Sequence, residues 1–88
     1  PSATHAETLS SAQPLELTVD RDGRVYLAQT AVTARQLADA LGGVDRATRV
    51  MLRVDGRAAF ADFVAVVDLL KSHGLERLSI VTQRGGAG

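Results

Sequence analysis

Three neighbouring aspartates, two histidines and a short row of arginines are the residues whose types could do chemistry here. Asp55, Asp62 and Asp68 lie close in sequence, but paired carboxylates do acid-base work only where they converge in a cleft. On a helix Asp62 and Asp68 point in different directions, and Asp55 closes a strand, where a turn aspartate satisfies local backbone donors. His5 stands in a polar lead-in, and His73 falls in the last turn of a helix, where positive charge suits the helix dipole. Neither histidine has metal-ligand spacing, and no serine sits in a nucleophile-elbow context. Cysteine is absent, which excludes disulfides and thiolate chemistry and leaves the redox compartment open. Gly42-Gly43 follows a helix rather than preceding one, so it reads as a helix stop, not a phosphate cradle. Arg49, Met51 and Arg53 leave one side of a strand. Such a row could meet phosphate, carboxylate or a glycan, while its commoner use is solvation and edge protection. No catalytic residue, metal site or cofactor is expected.

The composition sets matching bounds. At 88 residues the chain holds one domain. Ten basic residues balance ten acidic ones, which argues against a broad electrostatic footprint for nucleic acid or anionic lipid. Hydrophobic residues make up 45%, with only Tyr26, Phe60 and Phe63 aromatic, so the core must come from Val, Leu, Ile and Ala. The longest apolar runs, such as Phe63 to Val67, are far shorter than the roughly 20 residues that span a bilayer. No stretch resembles a signal peptide, and a start at Pro1 rather than Met reads as a fragment of a longer protein.

Elements that would position these residues follow in order. Residues 1–14, rich in Ser, Ala and Thr, read as a flexible linker. Leu15, Leu17 and Val19 alternate with polar residues as a strand does, Arg21-Asp22-Gly23 supplies turn chemistry, and residues 24–27 return with Val25 and Leu27 inward and Tyr26 outward. Thr33 and Gln36 form a capping box, with Val32 and Leu37 placed as a hydrophobic staple, so a short helix starts at Ala34. Residues 49–54 alternate as a strand, with Val50, Leu52 and Val54 on its buried face. After Asp55-Gly56, the spacing of Phe60, Phe63, Val64, Val67 and Leu70 predicts a helix with those residues inward, Val66 on the shoulder and Leu69 on the far side. Gly74 ends it. Leu78 to Thr82 reads as a final β-branched strand, and residues 83–88 as a disordered tail. The expected fold is α+β, β-β-α-β-α-β. One small mixed sheet carries both helices on one face, because parallel crossovers are right-handed, and leaves the opposite face open.

The segments LELTVDRDGRVYL, VTARQLADAL, RVMLRVD, FADFVAVVDLLKSHG and LSIVT, taken in order and spacing over residues 15–82, resemble the periplasmic domain of the ExbD/TolR biopolymer-transport family. Phe60 stands where a Tyr is common in that family, and Gly56 replaces a commonly charged residue. The resemblance implies the periplasmic part of a single-pass inner-membrane protein whose membrane helix, with its proton-carrying Asp, lies outside this chain. It further implies a homodimer and an ExbB-like or TolQ-like membrane subunit. Together these would use the proton-motive force to energise a TonB-like or TolA-like protein.

Two roles are open within that resemblance. An ExbD-like domain would take up a TonB-like segment along the last strand, at Ser79, Ile80, Val81 and Thr82, because an exposed edge recognises extended chains through its backbone. A TolR-like domain would bind peptidoglycan, with Arg49, Met51 and Arg53 as contacts. Thr33, Gln36, Asp55, Phe60 and Gly74 are expected to be structural. A reading of another class, a small-ligand regulatory module of ACT type, rests on fold analogy alone.

Overall fold

Alternation of apolar and polar residues does become strand pairing. The structure, a computed structural model, describes residues 13–83; the rest of the expected linker and tail lies outside the described residues. The elements are β1 (Leu15–Val19), β2 (Val25–Leu27), β3 (Thr30–Val32), α1 (Ala34–Leu41), β4 (Val50–Asp55), α2 (Phe60–Ser72) and β5 (Leu78–Gln83). They form one sheet in the order β3-β2-β1-β4-β5. β1 and β2 pair antiparallel with Leu17 opposite Leu27, β2 and β3 antiparallel with Leu27 opposite Thr30, and β1, β4 and β5 run parallel. The α+β class and mixed sheet are as expected. β3 is an additional strand, and Gln83, assigned to the tail, ends β5.

Turn chemistry explains the first hairpin. Asp20 Oδ1 accepts the backbone N–H groups of Asp22 and Arg24, each at 2.9 Å, and Gly23 takes φ +85°, a region that costs side chains with a Cβ. The β2–β3 link is less obvious, because Ala28 occupies the left-handed region at φ +57°. Its N–H donates to the Glu16 carbonyl at 2.8 Å, which holds the turn against the end of β1. At the start of α1, Thr33 Oγ1 accepts the Gln36 N–H at 3.1 Å and Gln36 Oε1 accepts the Thr33 N–H at 2.9 Å. This box satisfies two donors that the helix leaves orphaned.

The core lies between the helices and one face of the sheet. Leu17, Val19, Val50, Leu52 and Val54 from the strands meet Leu37 and Leu41 of α1, Val66 and Leu70 of α2, and Leu75. Both helices feed this cluster, so both cover the same face. Each such side chain contributes about 1.5–3 kcal/mol on burial. The expected orientation of α2 needs correction. Val66 is in the core, Leu69 is half-buried against it, and Phe60 is 75% exposed. At about 100° per residue, a face centred on Val66, Leu70 and Phe63 leaves Phe60 and Val64 well round the helix. No helix among the described residues is long and apolar enough to cross a membrane.

Candidate functional site

The last strand is an edge. Among the described residues β5 pairs with β4 alone, and its hydrogen bonds show which backbone groups face away from β4. The N–H of Val50 donates to the Arg77 carbonyl at 2.8 Å, and that of Gly56 to the Gln83 carbonyl. In a parallel ladder alternate residues face the same neighbour. Ser79 and Val81 therefore bond to β4, while Leu78, Ile80 and Thr82 turn their N–H and C=O groups to the outside. Ser79, Ile80, Val81 and Thr82 are all exposed, Ile80 by 50% and Val81 by 42%. Ile80 sits opposite buried Leu52 and Val81 opposite Arg53, so the first belongs to the helix-covered face and the second to the open face.

The arginine row is not three free contacts. Arg53 donates to Glu16 Oε1 at 3.1 Å, across β4 and β1, and so is already neutralised. Met51 is half-buried between Glu16 and Ser79 in the register. Arg49 is exposed, its carbonyl accepting the Leu15 N–H at 2.8 Å.

The residues expected to be structural occupy separate places. Asp55 Oδ1 accepts the Arg57 N–H at 2.8 Å and lies 3.4 Å from Arg57 Nε. The backbone hydrogen bond first, opposed by burial, and then the Arg57 side chain and the Arg21 charge hold its carboxyl below the ordinary 3.8. Gly74 takes φ +79° with the Arg46 side chain against it. His73 Nδ1 lies 3.0 Å from the Leu69 carbonyl. Phe60 touches Phe63, with ring centroids 5.8 Å apart. Among the described residues no three His, Asp or Glu side chains are grouped to hold a metal.

A groove of about 430 Å³ runs between the β2–β3 hairpin and the two helices, lined by Val25, Val32, Leu37, Asp62, Val66 and Leu69 among others. Sequence reading missed it because it exists only once β3 is placed beside α1. Its lining is mostly apolar, with Arg24, Thr33, Gln36 and Asp62 as its polar residues.

Comparison with known proteins gives a consistent result. The family model described as "Biopolymer transport protein ExbD/TolR" matches residues 1–85. The chain is 25% identical over 84 residues to the biopolymer transport protein ExbD of Aquifex aeolicus (strain VF5), covering 96% of this chain and 64% of that protein. It is 28% identical over 82 residues to ExbD of Mannheimia haemolytica (85% and 57%) and 27% identical over 85 residues to ExbD of Haemophilus ducreyi (96% and 66%). The chain thus spans 57 to 66% of the length of these relatives.

Proposed function

Because this chain belongs to the ExbD/TolR family of biopolymer transport proteins, we propose that it is the periplasmic domain of an ExbD-like subunit in a proton-motive-force-driven motor. The subunit is a transport component rather than an enzyme. Its membrane helix joins an ExbB-like or TolQ-like partner in the inner membrane, and this domain forms a homodimer and engages a TonB-like protein. One observation carries the engagement step: the outer edge of β5, unpaired among the described residues, with Ile80 and Val81 exposed. A free edge with β-branched residues takes up an extended segment by adding a strand, with backbone hydrogen bonds supplying affinity and alternate side chains specificity. Titration of the ¹⁵N-labelled chain with a TonB-like periplasmic peptide tests the reading. Shifts concentrated at Ser79–Thr82 are expected, and unmoved amides along β5 would sink it.

The family description covers TolR as well as ExbD, and a TolR-like role in binding peptidoglycan is the second reading. Its support is Arg49, exposed and outside any ion pair among the described residues. Co-sedimentation with purified sacculi separates the two, since an ExbD-like domain stays in the supernatant.

A further inference from the structure

Among the described residues three large apolar side chains are conspicuously exposed, Phe60, Ile80 and Val81, and two of them bear on one side of β5. Asp62, Ala65, Val66 and Leu69 of α2 line the groove against α1 and the β2–β3 hairpin. At about 100° per residue, Phe60, Phe63 and Val67 occupy the opposite flank of α2. Since α1 packs beside β3, and β5 is at the other end of the sheet, that flank looks toward the β5 edge. Ile80 belongs to the same helix-covered side through its pairing with Leu52. α2 runs back against the direction of β4, so Phe60 and Phe63 stand nearest the Thr82 end of β5 and Val67 nearer Leu78. Phe63, Val67 and Leu78 are partly buried against the core, while Phe60, in contact with Phe63, is left exposed.

We infer that Phe60 is a specificity-determining residue for the segment that adds to β5, acting as a roof over its inward side chains. This rests on the strand addition proposed above. The occupant it fits is an uncharged extended segment of a partner protein with apolar side chains at alternate positions. Outward N–H and C=O groups at Leu78, Ile80 and Thr82 require an extended chain, whose residues then alternate between the two faces. Those on the helix side meet Ile80, Phe60 and Phe63; a polar or charged group there loses water without gaining a partner. Charge complementarity points the same way. LSIVTQ carries no charge, and Arg53 on the next strand is already paired with Glu16.

A capped six-residue peptide of alternating Val and Thr, matched in length to β5, and an isomer with its Val residues in one block provide the test. The alternating peptide is expected to bind about ten-fold more tightly and to shift the Ser79–Thr82 amides together with the ring resonances of Phe60. Phe60→Ala should lower its affinity about ten-fold and leave the block isomer unaffected. With Phe60 75% exposed, the substitution spares the core, which circular dichroism checks. Shifted β5 amides with unmoved Phe60 rings and a silent Phe60→Ala overturn the roof and leave strand addition standing. Amides unmoved by either peptide overturn both. β5 shifts that grow with protein concentration without peptide assign the edge to a second copy, and also overturn the proposal.

Discussion

Asp55, read from the sequence as a turn residue at the end of a strand, has its carboxylate against Arg57. Its carboxylate closes the β4 turn by accepting the Arg57 N–H, and its side chain is 18% exposed beside the Arg57 guanidinium. These contacts favour the charged form and hold the folded pKa below 3.8. A depressed aspartate pKa means that the unfolded chain takes up the proton first on acidification. The resulting stability is fully present above the unfolded value and is lost as pH falls through the folded one. Asp55→Asn keeps an oxygen for the Arg57 N–H but removes the charge. It is expected to be less stable than the parent at pH 7, with the difference shrinking below pH 3.8. Urea unfolding across that range measures it, and a difference that does not change with pH would remove the charge from the account. His73 tells a similar story at the other end of α2, where its ring contacts the Leu69 carbonyl rather than a second ligand.

At the scale of elements, local signals and tertiary ones part company. The alternation of Leu15, Leu17 and Val19, the Val50, Leu52 and Val54 row, and the Thr33–Gln36 box are local patterns, and each is visible before folding. β3 carries no such pattern. It is three residues long with Thr30 and Ala31 exposed, and its turn uses Ala28 at positive φ where glycine would have announced it. The inward face of α2 was equally illegible, because Phe63, Val66, Val67 and Leu70 satisfy helical spacing as well as Phe60, Phe63, Val64 and Val67 do. Packing decides between them. The edge residues of β5 were readable as a β-branched strand, but its covering flank of α2 was not, since that depends on how the helix is rotated. Backbone direction along β5 leads to a further expectation. Thr82 turns its N–H outward, so Thr82→Pro removes a donor for an added strand while sparing the β4 ladder, the setting in which edge prolines are tolerated. The variant should keep its circular dichroism spectrum and lose peptide-induced shifts at β5; retained binding would place recognition elsewhere.

For the whole molecule, the question is which surfaces the proposed homodimer and the proposed partner each use. If β5 receives the partner, the dimer needs another surface, and the uncovered face of the sheet is available. There Thr18, Tyr26, Met51 and Arg53 are only half-buried by their neighbours, with no second layer among the described residues. Two such faces stacked together would bury them, as sheets do when they pack. The Arg53–Glu16 pair lies in the middle of this face at 3.1 Å. Arg53→Glu sets two carboxylates side by side and doubles the repulsion when a second copy brings the same pair, while leaving the β5 edge intact. Light scattering over a concentration series should show the parent mass rising from 9.3 kDa toward twice that value and the variant staying low. Peptide-induced shifts at Ser79–Thr82 should be alike in the two. A variant that dimerises like the parent would clear the open face of that role. A variant that loses dimer and peptide binding together, with its β5 edge intact, would mean that uptake of the peptide depends on the dimer formed through the open face.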